Sequence, residues 1–406
     1  MKRAKSNGVI DLDDVLWERV MTATDGAVAP CFQCGVCTAT CPWGLLQKEP
    51  VNVRQLMRRA QMGIEQDTEA LWWCTTCRAC EELCPRGVPI AEVMLALRGL
   101  AWKDRRVPGG LPSVMWAMYW DSNPWRRPPS QRSRWARTAE VKPFEPTDEI
   151  LYYVGCTPSY DNRTQKVARS LSQLFGAAGV SFGTLGDEES CCGDAAYALG
   201  QHEYMAKIIE KNVELFARRG VRTIVTTSPH CYDMFLNQYP AEDGFRPLHY
   251  TQYLATLVEE GRLQFETPFE KRVTFHDPCY LGRRNGEYDA PRRLLSAVPG
   301  LEIVEMPRSR EDALCCGGGG GRMWMETAAG ERFADLRAEE AVDTGADVLV
   351  TACPHCIACL EDSLKVPGKG MGKGMVVMDV AELLAEALGL NAAQKPAVSS
   401  APRSAK

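Results

Sequence analysis

The placement of cysteines constrains this chain more than anything else in it. There are 18, eight of them between positions 31 and 84 and ten between 156 and 359. The first eight are two copies of one run. Cys31, Cys34, Cys37 and Cys41 before Pro42 are matched by Cys74, Cys77, Cys80 and Cys84 before Pro85, each reading C-x2-C-x2-C-x3-C-P. The first twenty residues turn from basic to acidic with no apolar stretch or small-residue cleavage site, so the sequence predicts no export signal. In a reducing compartment clustered cysteines read as metal ligands or redox catalysts rather than disulfides. A length of 406 residues argues for two or three domains. The 45% hydrophobic content and net charge of −5 exclude a disordered chain and a histone-like nucleic-acid binder. No apolar run reaches the roughly 18 residues that a membrane-spanning helix needs.

Bacterial ferredoxins use this cysteine run for four-iron clusters. The first three thiolates of a run serve one cluster, and the fourth, before proline, serves the other. By that rule Cys31, Cys34, Cys37 and Cys84 hold one cluster, and Cys74, Cys77, Cys80 and Cys41 hold the second. Structural zinc sites show pairs of ligands rather than triplets, which argues against zinc here. The stretches VNVRQLMRRAQMGI and IAEVMLALRGLAW carry apolar residues at helical spacing. They predict an α-helical ferredoxin domain over 1–102.

The later cysteines repeat in another pattern. Cys279 follows Cys156 by 123 residues, Cys315 follows Cys191 by 124, and Cys356 follows Cys231 by 125. TTSPHCYDMF and TACPHCIACL agree locally. A near-constant offset means a duplicated domain, placed at 148–262 and 270–390. Each copy alternates strand-like and helix-like stretches, EILYYVG, VSFGTL and VRTIVTT in the first and RVTFHD, LEIVEM and ADVLVTA in the second being strands, which predicts α/β (Rossmann-like) folds. The cysteines follow strands, where open α/β sheets build their sites. The fold class is therefore α+β multidomain: the helical module, a Trp/Arg/Pro-rich linker over 103–147, the two copies, and a disordered tail over 391–406.

Cys…Cys-Cys-Gly…Cys-x-x-Cys is the signature of the CCG domain. A ferredoxin module followed by two such domains resembles the D subunit of heterodisulfide reductase, itself similar to a fusion of that enzyme's C and B subunits. The stretches HDPCYLGRRNG and LCCGGGGGRMWMET are the most similar to that branch. The iron–sulfur subunit of glycolate oxidase is a related chain. The resemblance implies a non-cubane four-iron cluster that splits a disulfide, with Cys279, Cys315, Cys316, Cys353 and Cys356 as its ligands. The first copy departs from the pattern, because Ser228 stands where the second has Cys353. Cys156, Cys191, Cys192 and Cys231 remain, and four thiolates suit zinc or a conventional cluster as well as an altered non-cubane one. His230 is a candidate extra ligand there, and SPHC also reads as a plain turn before a helix.

His276 and His355 flank the second site, and either can give a proton to a leaving thiolate. A hydrogen-bonded structural histidine fits each as well. His276, three residues before Cys279, is the better placed, so Cys315, Cys316 and His276 are the expected catalytic residues. Gly317 to Gly321 read as backbone lying close to a cluster or leaving room for substrate. Cys359 reads as a small buried hydrophobe, and GKGMGKG at 368–374 as a basic surface loop. The five tryptophans of 102–135 read either as a strap across the domains or as a docking surface for a partner.

The expectation is a cytoplasmic, oxygen-sensitive iron–sulfur oxidoreductase. It relays electrons from two ferredoxin-type [4Fe-4S] clusters to the CCG pair for disulfide reduction or thiol oxidation. The alternatives are an electron-transfer subunit without substrate chemistry and the iron–sulfur subunit of a hydroxy-acid oxidase. No flavin or nicotinamide motif is present, so electrons must come from a partner: a flavoprotein, a ferredoxin or a membrane cytochrome subunit. A small disulfide or thiol is the expected substrate, and nucleic acid is not expected to bind.

Overall fold

A computed structural model describes residues 12–46, 52–66, 68–139, 141–240, 244–327, 332–365 and 374–390. The expected tail over 391–406 and nearly all of the 368–374 loop lie outside these residues. The helical module contains α1 (Asp14–Ala23), α2 (Val36–Thr40), α3 (Val53–Gln61), α4 (Thr68–Trp73), α5 (Ala79–Glu82) and α6 (Ile90–Lys103). Asn52 caps α3 by accepting from the Gln55 amide, and Val53, Leu56, Met57 and Ala60 form its buried stripe. Within 103–147 the chain forms α7 (Leu111–Asp121) and then buries Trp135 in the core. Trp125 meets Trp324 edge-on, whereas Trp116 and Trp120 are exposed. Both sequence readings of this segment therefore find residues that suit them.

The first copy runs β1 (Ile150–Tyr153), α8 (Cys156–Tyr160), α9 (Gln165–Ala177), β2 (Phe182–Gly183), α10 (Asp194–Ala198), α11 (His202–Arg219), β3 (Thr223–Thr226), α12 (Pro229–Asn237), β4 (Arg246–His249) and α13 (Tyr250–Glu259). The second runs β5 (Lys271–His276), α14 (Asp289–Ser296), β6 (Leu301–Ile303), α15 (Phe333–Asp343), β7 (Val348–Thr351), α16 (Pro354–Leu364), β8 (Val376–Asp379) and α17 (Val380–Ala387). Each copy is a four-stranded parallel sheet, ordered β2-β1-β3-β4 and β6-β5-β7-β8. Tyr153 pairs with Thr226 and His276 with Thr351, so the two sheets share a register as well as an order. β1 and β7 are buried throughout, as are the last three residues of β3 and the last four of β5, as in strands covered on both faces.

The copies face each other about a pseudo-two-fold axis. α9 packs on α17, and their counterparts α14 and α13 pack on each other. One apolar core runs through both sheets. Across this join Arg163 holds Glu361 and Glu382, and the Tyr250 hydroxyl donates to Asp379 at 2.6 Å. The core of the helical module in turn continues into Cys279, Tyr280, Cys315 and Phe333 of the second copy. Among the described residues no helix is long and apolar enough to cross a membrane.

Arg98, on α6, is wholly buried where all three modules meet. It donates to the carbonyls of Leu71 (3.0 Å) and Cys74 in the helical module, Ala198 (2.7 Å) in the first copy and Gly320 (2.9 Å) in the second. Beside it Gly200 lies at φ +74, and a Cβ there would stand 2.5 Å from the Leu95 carbonyl oxygen. Only glycine allows that approach. Replacing Arg98 by Met strands several buried carbonyls, each costing about 1–3 kcal/mol. The Arg98→Met protein is expected to melt well below the wild type in calorimetry. An unchanged melting temperature would show that the guanidinium is dispensable.

Candidate metal and redox centres

The two ferredoxin-type runs interleave in space. One cavity is lined by Cys31, Cys34, Cys37 and Cys84, with Val36, Met57 and Val88 among its walls. A second is lined by Cys41, Cys74, Cys77 and Cys80, against Trp43, Leu56, Met94 and Phe333. Each thus draws three cysteines from one run and the fourth from the other. Burial pushes the thiols of Cys41, Cys74 and Cys80 up, and neighbouring thiols add to the shift. Thiols so crowded in apolar walls give up their protons when a soft cation replaces them. Four sulfurs around an apolar cavity suit an iron–sulfur group in both places. Cys34 is exposed, and Phe32 beside it is 60% exposed, so the first cavity lies near the surface.

In the first copy, Cys156, Cys191, Cys192 and Cys231 form a chain of thiol contacts. Arg132 comes from the Trp/Arg-rich segment, is almost wholly buried, and reaches the Cys156 sulfur at 3.5 Å. Glu189 fixes it at 2.8 Å and also takes the amides of Val154 and Gly155. Ser228 is the N-cap of α12 and accepts from the His230 amide at 3.3 Å. Cys353 occupies the same cap position of α16 without a side-chain capping bond. The serine thus spends its oxygen on the helix, where the cysteine keeps its sulfur free.

In the second copy all five expected thiols are buried and meet. Contacts run from Cys279 to Cys315 and Cys316, then to Cys356 at 3.3 Å from Cys316, and on to Cys353. The Gly317 amide donates to the Cys315 sulfur at 3.2 Å. Cys315 also contacts Cys77 of the second ferredoxin-type cavity, and it is this bond that most raises the Cys77 thiol. Arg283 lies over the same junction, donating to the Cys77 carbonyl at 2.7 Å and the Ala313 carbonyl at 2.6 Å. The glycine run rests on the ferredoxin loop: a Cβ on Gly319 would meet the Thr75 carbonyl at 2.5 Å, and one on Gly320 would overlap the Cys74 carbonyl. Cys359 is half-buried and lines a cavity beside Cys316 with Gly318 and Arg322.

The histidines take different places around the second site, His276 lying within 4.8 Å of the Cys316 and Cys356 sulfurs. His230, considered as a ligand of the first copy, bonds Asp194 at 3.1 Å and turns to Cys353 of the second. It stacks on Tyr280 at 3.8 Å and lies 4.3 Å from His355. Burial opposes its charge, yet Asp194 and Cys353 hold its pKa up at about 10. Burial, opposed by hydrogen bonds from Cys356 and His230 and by the His230 charge, leaves the Cys353 thiol well below its usual value. His355 is held down to about 4 by burial and by His230, with Nε2 on the Thr157 hydroxyl at 3.1 Å. His276 is wholly buried, and burial followed by the charges of Arg337 and Arg283 keeps it well below its usual value. Its ring is neutral, a poor reservoir for a proton. Sequence reasoning missed His230 as a neighbour of Cys353, together with Arg98 and Arg283. The only trace of Arg283 was the GRR that follows Cys279.

Comparison with known proteins agrees with this layout. The 4Fe-4S dicluster domain matches residues 27–88, and the cysteine-rich CCG domain matches 150–236 and 273–361. The chain is 31% identical over 392 residues to the D subunit of the dihydromethanophenazine:CoB–CoM heterodisulfide reductase of Methanosarcina barkeri, covering 89% of this chain and 94% of that one. It is 39% identical to the probable iron-sulfur-binding oxidoreductase FadF of Bacillus subtilis, over 79% of this chain and 47% of the relative. It is 36% identical to the EtfAB:quinone oxidoreductase of Syntrophomonas wolfei, again over 79% and 47%. The chain therefore spans about half the length of the last two. A crystal structure of a hypothetical protein from Helicobacter pylori shares the fold, with a TM-score of 0.53 and 11% identity over 84% of this chain and 67% of that one.

Gly320→Ala tests the contact between modules. The residue needs φ +58, and a methyl group there must displace the Cys74 carbonyl. The strain is expected to cost about 1–3 kcal/mol of stability. In stopped-flow, electrons given to the ferredoxin-type module should reach the second copy more slowly. Unchanged transfer would mean that this contact does not set the path.

Proposed function

The chain belongs to the heterodisulfide reductase D-subunit family, and from that premise we propose that it is an iron–sulfur oxidoreductase. It carries electrons from two ferredoxin-type [4Fe-4S] clusters to the CCG pair. Cys31, Cys34, Cys37 and Cys84 hold the receiving cluster, beside the surface. Cys41, Cys74, Cys77 and Cys80 hold the next. Cys279, Cys315, Cys316, Cys353 and Cys356 hold a non-cubane-type cluster that, when bound, supplies single electrons to sulfur. The contact of Cys77 with Cys315 carries this reading, because it leaves no gap between donor and acceptor. The domain limits given above and the Rossmann-like form of the two sheets belong to the same proposal, as does a cytoplasmic location.

At the second copy a disulfide takes up two electrons and two protons and leaves as two thiols, or the reverse. Cys353 and Cys356 present their sulfurs, and His230, hydrogen-bonded to Asp194 at 3.1 Å and lying over Tyr280, is the group best placed to hold a proton at the reacting sulfur. It takes the role expected of His276. The donor is a flavoprotein, a ferredoxin or a membrane cytochrome subunit. One relative is named for EtfAB and a quinone, so partners of such chains differ from one member to another.

A second reading, electron transfer without substrate chemistry, draws support from Ser228, whose oxygen is committed to capping a helix. Two experiments separate the readings. Cys315→Ala should abolish disulfide turnover with an artificial donor and leave the ferredoxin clusters reducible. Turnover in that variant sinks the proposal. Anaerobic analysis of the whole chain should give about 16 irons and no zinc if the first copy holds a cluster. About 12 irons with one zinc would make that copy structural and favour the second reading.

A further inference from the structure

His276 ends β5 with no exposed surface, and none of the steps above employs it. Its Nδ1 receives the Nε–H of Arg337 at 3.1 Å. A guanidinium nitrogen only donates, so Nδ1 is the acceptor and carries no proton. The one N–H of a neutral ring then sits on Nε2. Arg337 is itself wholly buried and held by the Arg308 carbonyl at 2.6 Å and Glu340 at 2.8 Å, so the ring cannot trade its tautomer freely. Among the described residues Nε2 has no hydrogen-bond partner. A ring nitrogen of His276 and the sulfurs of Cys316 and Cys356 all lie within 4.8 Å of one another.

We propose that His276 is a positioning residue whose Nε2–H, fixed by Arg337, is a hydrogen-bond donor to the sulfurs of the second copy's cluster and makes that cluster easier to reduce. Donation to sulfur stabilises the added negative charge of the reduced state, as hydrogen bonds to cluster sulfurs do generally. A nitrogen that already bears hydrogen is also barred from ligating iron. The duplicate supplies an internal contrast. Tyr153 holds the equivalent strand position, and its hydroxyl is spent on the Ser190 carbonyl at 2.6 Å. Asn212 precedes Arg337 by 125 residues, the offset that also separates Cys231 from Cys356, and donates to the Cys191 carbonyl and to Tyr239. The first copy instead offers its sulfur a charged donor, Arg132. The copies thus share a fold and differ in the group that tunes each site.

The inference rests on the reading that the five thiols hold an iron–sulfur group. Its test is an EPR-monitored redox titration of the anaerobic full-length chain beside His276→Leu, His276→Gln and Arg337→Leu. In His276→Leu the second-copy signal should titrate lower by about 59 mV, a tenfold change in a one-electron equilibrium. The ferredoxin signals should stay in place. His276→Gln, which keeps an N–H, should recover part of the shift. Arg337→Leu frees Nδ1 to take the proton and should shift the signal the same way. Pulsed EPR in D2O should show an exchangeable deuteron coupled to the cluster in wild type and lost in His276→Leu. An unshifted potential with iron retained overturns the proposal, as does a direct iron–nitrogen coupling in the wild type. If His276→Leu loses its iron, Arg337→Leu decides, and an unshifted potential there overturns it. Wild-type protein without second-copy iron fails at the cluster reading itself, which the iron count reveals separately.

Discussion

One guanidinium holds the three modules in register. Arg98 sits on a largely apolar, buried helix and finds carbonyl partners in the helical module and in both copies. A buried cation is tolerated only where its hydrogen bonds are made, so Arg98 has a satisfactory place only in the assembled chain. The electron path follows from that placement. Two of its acceptors, Cys74 and Gly320, lie on the loops that bring the second ferredoxin-type cavity against the second CCG site. Moving those loops apart strands Arg98.

The duplicated sheets have the same order and register, yet their sites have diverged. The first has a serine cap, a tyrosine and a buried Arg–Glu pair. The second has a cysteine at the cap, a histidine and five thiols in contact. The separation of roles comes from a few side chains at strand ends, where parallel sheets gather their chemistry.

Much of this was legible in the sequence, because the information was local or periodic. The cysteine runs state their own chemistry through spacing, and the cavity linings group the thiols as the ferredoxin rule pairs them. The offsets of 123 to 125 residues announced the duplication before any strand was seen. The fourth strands escaped notice: Arg246–His249 is four residues containing a proline, and Val376–Asp379 is as short, so neither shows alternation. His230 escaped for another reason. Its partner Cys353 belongs to the other copy, and a contact made only by packing leaves no local trace. Arg98 did leave one, the single basic residue in IAEVMLALRGLAW, which reads as a surface position until the helix is seen to be buried nearly all round.

The crossing of His230 ties one copy's site to the other's. Ser228 leaves the first copy one thiol short of the second. Yet the turn that carries Ser228 also carries His230, and its partner Asp194 lies two residues after Cys192. These residues form one wall of the other copy's site. A change at His230 or Asp194, though made in the first copy, is therefore felt at the thiols of its twin.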